Sequence, residues 1–163
     1  MHKHLVLAAT IATGCIDTED VETTSQAETR VILARGTIDG LAFRRTTGDW
    51  EFEAKAEGLT DFVMSRIDLG PGECVPWHYH AGPVFVIIKT GTGTNFHPQA
   101  DGSCEVETVT PGTGLTDDGL HVHSMCNYGP DPLLSLFVTY VVPKGVATNT
   151  PVPNPGTCPG GAP

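Results

Sequence analysis

The sequence predicts an all-β fold in a single domain, and three observations lead to this class. Nineteen glycines and thirteen prolines divide the 163 residues into short segments, and both residue types are turn formers. The segments between them are rich in Val, Ile, Phe, Thr and Tyr, which favour strands. No segment has a convincing helical period. Many short strands joined by turns are typical of a β-sandwich, barrel or jelly roll.

The predicted strands lie between residues 31 and 143, which we interpret as the folded domain. In chain order they are Val31–Thr37, Trp50–Ala54, Phe62–Asp68, Val75–His80, Val84–Lys89, Thr94–Phe96, Glu105–Thr108, His121–Cys126 and Leu134–Val142. Residues 144–163 form a tail rich in proline and glycine. Because proline donates no ladder hydrogen bond, this tail is predicted to lie extended over the surface.

The first residues of the chain predict export. Residues 1–14 combine Lys3, an apolar run and small residues before Cys15, the pattern of a signal peptide whose end resembles a bacterial lipobox. The alternative is a buried first strand with an incidental cysteine. Residues 15–30 have almost no large apolar side chain and are interpreted as a disordered tether. The pattern predicts a periplasmic or cell-envelope lipoprotein, with Cys15 lipidated, that contacts the membrane only through this N-terminal anchor.

The net charge of the chain limits the classes of partner that it can bind. Nineteen acidic and nine basic residues give a formal net charge of −10, which repels nucleic acid phosphates and anionic membrane surfaces. The sequence contains no GxSxG motif and no Gly-rich phosphate loop followed by a helix. We therefore expect a small molecule as the partner and exclude nucleic acid.

The cysteine count predicts disulfides. If Cys15 carries a lipid, Cys74, Cys104, Cys126 and Cys158 remain, an even number in an exported protein. The alternative is free or metal-binding thiols, which has little support because no CxxC pair occurs and the spacings are wide. A bond from Cys104 to Cys158 would pin the proline-rich tail.

A pair of histidines, His78 and His80, opens an apolar stretch in the sequence PGECVPWHYHAGPVFVIIKTGTG. Residues at i and i+2 of a strand point to one face, so the two imidazoles would converge. His121 and His123 repeat the same spacing later in the chain. Imidazole is a common ligand of divalent metals. The sequence therefore predicts a metal site.

The spacing around the first pair resembles the first motif of the cupin superfamily. Five residues separate Gly72 from His78, and one separates His78 from His80. Three more residues lead to Val84, and a further six lead to Gly91. Two glycines and two histidines at these intervals make a specific match.

A second stretch resembles the second cupin motif, where Gly112, His123 and Asn127 take the places of its first glycine, its histidine and its asparagine. The resemblance covers residues 31 to 142 approximately. It implies a cupin jelly-roll β-barrel and, since cupins often pair through sheet edges, a homodimer. The implied ligands of a mononuclear metal are His78, His80 and His123. The ligand set leaves the divalent metal open among Zn, Mn, Cu, Fe and Ni.

The departures from the motifs divide the functional hypotheses. Val84 stands where most metal-binding cupins carry glutamate, while Asp118 and Leu120 replace the usual proline and glycine of the second motif. The three histidines favour a metal-dependent enzyme that acts on a small molecule, of oxygenase or isomerase type. The apolar Val84 favours a non-catalytic module that binds a small ligand or a metal.

The resemblance also implies places for the neighbouring residues. The segments that carry the two motifs are antiparallel neighbours in this fold, with His78 opposite His123. That register brings Cys74 close to Cys126 but one residue out of step, so a disulfide between them requires a bulge or a strand end. We expect His121 in the outer shell or at the surface, and Asn127 bonded to backbone at a strand end. From the residues alone, we predict that His97 lines the mouth of the barrel and that Trp77 and Tyr79, which alternate with the histidines, face the opposite side.

Overall fold

The computed structural model describes residues 21–23 and 28–163. Over these ranges every regular element is a strand, so the all-β prediction is confirmed. None of the described segments is a helix that could cross a membrane. The predicted signal peptide at 1–14, the lipidated Cys15 and most of the tether at 15–30 lie outside the described residues.

Strands alternate with turns along the described chain. We number them β1 (Val21–Thr23), β2 (Thr29–Thr47), β3 (Trp50–Leu69), β4 (His78–Tyr79), β5 (Val84–Thr90), β6 (Gly93–Pro98), β7 (Cys104–Val109), β8 (Gly114–Asp117), β9 (Ser124–Cys126), β10 (Leu134–Pro143) and β11 (Thr150–Pro151). Most strands are short because glycine and proline recur between them. The exceptions are β2 and β3, with 19 and 20 residues.

Two layers of strands face each other. One layer is a six-stranded sheet in the order β1-β2-β3-β10-β5-β8. The other combines the three-stranded sheet β7-β6-β9 with the pair β11-β4, joined by antiparallel bridges from Cys74 to Cys126 and from His78 to His123. The two histidine-bearing segments are therefore antiparallel neighbours.

The apolar core lies between these layers. Leu69 and Leu134 are completely buried in it, in a cluster that includes Val84 and Tyr140. Full burial of one such aliphatic side chain contributes about 1.5–3 kcal/mol. A second cluster surrounds Trp77 beneath the C-terminal tail. The histidine segments run between the two clusters and are held from both sides.

The first half of the chain departs from the predicted boundaries. The three predicted strands 31–37, 50–54 and 62–68 belong to one long hairpin of β2 and β3. Gly40 has a φ of 67° and lies beside a register shift between Asp39 and Leu41. Two residues of β3, Glu57 and Gly58, oppose Gly40 at this shift, so the bulge lies in β3 and the hairpin continues, whereas the sequence pattern favours a turn there.

The folded part also begins before residue 31. Strand β2 starts at Thr29, and Glu28 and Arg30 on either side of it are buried and joined by an ion pair of 3.0 Å. Strand β1 pairs with this segment. Two charged side chains that neutralise each other can be buried together, so this pair lies within the structured segment that precedes residue 31.

Around the histidines the strands are shorter than predicted. The predicted strand 75–80 is regular only at β4, and the predicted strand 121–126 only at β9. The bridges account for this, because four positions separate Cys74 from His78 whereas three separate Cys126 from His123. The extra residue is the bulge that a Cys74–Cys126 bond requires, and Pro76 lies within it, where no ladder hydrogen bond is needed.

The proline-rich tail folds back over the histidine segment. It contains β11, a two-residue strand that the sequence does not predict, which pairs with β4 as an edge. Cys158 is bonded to Cys104, and the second disulfide joins Cys74 to Cys126. At the end of the tail, the backbone oxygen of Ala162 accepts a hydrogen bond of 2.6 Å from the Trp77 ring nitrogen. The tail thus packs against the histidine segment and is part of the site's support.

Candidate metal centre

Three histidines from two neighbouring segments meet inside the barrel. The ring centroids of His78 and His123 are 4.4 Å apart. The centroid of His80 lies 4.7 Å from that of His78 and 4.9 Å from that of His123. His78 and His80 are buried, while the side chain of His123 is 12% exposed at the cavity. One ligand atom from each ring lies within 4.8 Å of the other two. The two motifs predicted from the sequence are therefore brought together.

Backbone carbonyls set the tautomer of all three rings. The Nδ1 atoms of His78 and His80 lie 2.7 Å from the oxygens of Pro76 and Thr148. The Nδ1 of His123 lies 3.0 Å from the oxygen of His121. A carbonyl oxygen only accepts, so each neutral ring carries its proton on Nδ1. Each Nε2 is then unprotonated, and its lone pair points away from these carbonyls.

These lone pairs point toward one another. The Nε2 atoms of His80 and His123 are 3.2 Å apart, and since neither carries a proton, no hydrogen bond can form between them. A metal that binds imidazole at about 2.0–2.1 Å holds neighbouring nitrogens about 2.9–3.4 Å apart, for angles between octahedral and tetrahedral. The donor set therefore fits a divalent metal ion.

Burial keeps His78 and His80 neutral. It lowers the pKa of His78 well below the usual value, and the nearby charges of His123 and His80 lower that pKa further. Burial also lowers the pKa of His80 to about 4, against the opposing effect of its hydrogen bond to Thr148. Both rings are therefore unprotonated at pH 7, the form that ligates a metal.

A cavity of about 70 Å³ opens beside the three histidines, room for roughly five water molecules. Most of its wall is aliphatic, formed by Ile67, Val75, Val84, Val86, Leu115, Met125, Leu136 and Val138. Val84 is 1% exposed and contributes a methyl surface to this wall. The cavity therefore suits a small molecule with an apolar part.

A carboxylate nonetheless reaches the cavity, from a residue that the sequence does not single out. Asp117 of β8 is directly opposite Val84 of β5, and its Oδ2 lies 3.0 Å from Nδ1 of His123. Burial opposes its ionisation, but the ring of His123 and the backbone N–H of Gly119 outweigh that effect and lower the pKa of Asp117 to about 2. Asp117 is therefore a carboxylate anion at pH 7.

The loop before His123 explains where His121 points. Leu120 has a φ of 64°, the left-handed region that favours glycine. His121 follows it outside the strand, with a side chain 69% exposed and its Nδ1 2.8 Å from the Asp118 carboxylate. His121 and His123 therefore do not share a strand face, which corrects the sequence interpretation. His121 contributes only its backbone oxygen to the centre.

The other predicted neighbours have distinct places. Asn127 is outside the cavity and donates a hydrogen bond of 3.0 Å to the backbone oxygen of Leu69. Trp77 is buried on the face opposite the histidines. His97 lines the cavity, with its ring centroid 5.7 Å from that of His123, and its Nε2 is 2.6 Å from the Asn95 amide nitrogen. Burial and the charge of His123 lower the pKa of His97.

Comparisons with known proteins identify the fold. A conserved protein with a double-stranded β-helix domain from Klebsiella pneumoniae is similar over 78% of this chain and 86% of its own, with a TM-score of 0.50 and 15% identity. A cupin superfamily protein from Desulfitobacterium hafniense is similar over 63% of this chain and 77% of its own, with a TM-score of 0.43 and 13% identity. Oxalate oxidase bound to the substrate analogue glycolate matches over 56% of this chain and 46% of its own, with a TM-score of 0.48 and 19% identity.

The chain spans less than half the length of that oxalate oxidase. No family model matches the chain, and no curated protein matches it. Together with the two-layered all-β architecture, the double-stranded β-helix neighbour establishes a jelly-roll fold of the double-stranded β-helix type.

Proposed function

We propose that the protein binds one divalent metal ion through His78, His80 and His123. The observation that carries this proposal is the arrangement of the rings. Each Nδ1 is held by a backbone carbonyl, and the Nε2 atoms of His80 and His123 face each other at 3.2 Å. Two unprotonated nitrogens at that distance repel unless a cation lies beside them.

We propose further that the protein is a metal-dependent enzyme acting on a small molecule, of oxygenase or isomerase type. A metal held by three neutral imidazoles keeps coordination positions open and supplies Lewis acidity. The chain's own residues select the ligand, because the aliphatic wall around Val84 favours an apolar group and the cavity limits the bound part to a few heavy atoms. Asn95 and His97 line the same cavity and offer polar contacts to it.

A second candidate is a non-catalytic module that binds a small ligand or the metal alone. The observation that favours it is the aliphatic side chain of Val84, buried where a glutamate was expected. The two candidates differ in turnover. Metal binding without conversion of any small carboxylate, thiol or carbonyl compound would favour the module.

The metal proposal is tested by elemental analysis of protein purified without added metal. We expect about one metal ion per chain in the unaltered protein. His78→Ala should retain almost none, because two imidazoles form a weak site and one buried Nε2 is lost. His121→Ala is the matched control, since the side chain of His121 is exposed and lies outside the ligand set. Equal metal content in all three proteins would contradict the proposal.

We also propose that the protein is exported and lipid-anchored. Two disulfides join all four cysteines of the described chain, which suits an oxidising compartment. Cys15→Ala should move the protein from the membrane fraction to the soluble fraction, as followed by immunoblot. Cys104→Ala, which leaves the anchor unchanged, should stay with the membrane. Membrane association of Cys15→Ala equal to that of the unaltered protein would refute the anchor.

A further inference from the structure

The centre has a carboxylate, but on the strand next to the expected one. Strands β5 and β8 are antiparallel, and Val84 and Asp117 are direct partners in their register. Side chains of directly opposed residues lie on the same face of a sheet, with their Cβ atoms about 4.5–5.5 Å apart. Val84 faces the cavity, and therefore so does Asp117, which lines it together with the three histidines.

The two oxygens of Asp117 have different surroundings. Oδ1 accepts a hydrogen bond of 2.6 Å from the backbone N–H of Gly119, which fixes the carboxylate plane. Oδ2 is buried and makes no well-aligned hydrogen bond within the described part of the chain. It lies 3.0 Å from Nδ1 of His123. A buried carboxylate oxygen normally has a donor, and the nearest one is the proton on His123.

We propose that Asp117 is the positioning carboxylate of this metal centre, a role that rests on the metal site proposed above. Its Oδ2 accepts a share of the Nδ1 proton of His123. The backbone oxygen of His121 is the other acceptor of that proton. A carboxylate behind a ligating imidazole fixes the ring's tautomer and orientation and strengthens its Nε2 as a donor.

Asp117 also supplies charge that the ligands lack. Three neutral imidazoles leave both positive charges of a divalent ion uncompensated, and the aliphatic wall around Val84 increases the cost of a bare charge. A fixed anion beside His123 offsets part of that cost without occupying a coordination position. Val84 and Asp117 together therefore keep a carboxylate close to the metal while leaving its open positions free for a ligand.

The first test measures Zn²⁺ affinity by competition with a chromophoric chelator. Asp117→Asn should weaken binding by 10- to 100-fold, the usual effect of losing an outer carboxylate. Asp118→Asn is the matched control, because Asp118 is the next residue but is 81% exposed, and its affinity should stay within about twofold. Asp117→Glu retains the charge and should recover most of the loss. Equal affinities for Asp117→Asn and the unaltered protein would overturn the proposal.

A second readout does not need metal. In the metal-free protein, the proton on His123 Nδ1 should resonate far downfield in NMR spectra, and Asp117→Asn should move it upfield while Asp118→Asn leaves it in place. An unmoved resonance would overturn the role of Asp117. If the unaltered protein binds no Zn²⁺ but this shift occurs, the metal proposal fails while the carboxylate–histidine contact stands.

Val84→Glu in the Asp117→Asn background should restore Zn²⁺ binding by returning a carboxylate to the cavity. No recovery in a folded double variant would count against the charge argument.

Discussion

Replacing Cys104 and Cys158 together by alanine should lower the free energy of unfolding by about 4 kcal/mol. The bond between them spans a sequence separation of 54 residues, so its loss restores a large conformational freedom to the unfolded chain. For a chain of this size, a loss of that order lowers Tm by about 10 °C. Urea and thermal unfolding of the double variant measure both quantities.

The same substitution should weaken the metal centre, because the bond holds the tail against the histidine segment. Within that tail, Thr148 accepts from Nδ1 of His80, and β11 pairs with β4. Reducing agent opens both disulfides of the unaltered protein, so that protein should lose at least as much stability as the double variant. If peptide mapping under non-reducing conditions finds Cys104 and Cys158 as free thiols, or if the double variant unfolds like the unaltered protein, the prediction is wrong.

The residues that the sequence predicts well are those whose spacing carries the information. His78, His80 and His123 were identified because alternation on a strand and the motif intervals both constrain them, and the register that places His78 opposite His123 also brings Cys74 to Cys126. Such positions are fixed by backbone geometry, so their partners follow once the topology is known. The fold class followed from the same alternation of apolar segments and turns.

The position of Asp117 could not be predicted from the sequence. Its strand β8 has the sequence GLTD, which carries no strand signal of its own. Its role depends on pairing with β5, a long-range contact. Carboxylates are common in this acidic chain, so only the register with Val84 distinguishes Asp117 from its exposed neighbour Asp118. The long β2–β3 hairpin was missed for a related reason, since a glycine bulge and a glycine turn look alike in sequence.

Lowering the pH from about 6.5 to about 4 should destabilise the metal-free protein by about 3 kcal/mol through His80 alone, since each pKa unit is worth about 1.4 kcal/mol. In the unfolded chain His80 takes up a proton near its ordinary pKa, 6.5, but in the folded protein burial delays protonation to about pH 4. The unfolded state therefore binds more protons in this window, and stability falls as the pH falls. His78, whose pKa burial lowers still more, acts in the same direction.

Urea unfolding in EDTA at a series of pH values measures this slope. His80→Gln cannot titrate and should reduce the loss between pH 6.5 and 4, whereas the exposed His121→Gln should leave it unchanged. Asp117 titrates lower, since its pKa falls from 3.8 to about 2 on folding, so the stability it contributes is lost only as the pH drops through that range. A slope in His80→Gln equal to that of the unaltered protein would show that the buried imidazole is not its source, because the remaining groups would then account for the whole proton uptake.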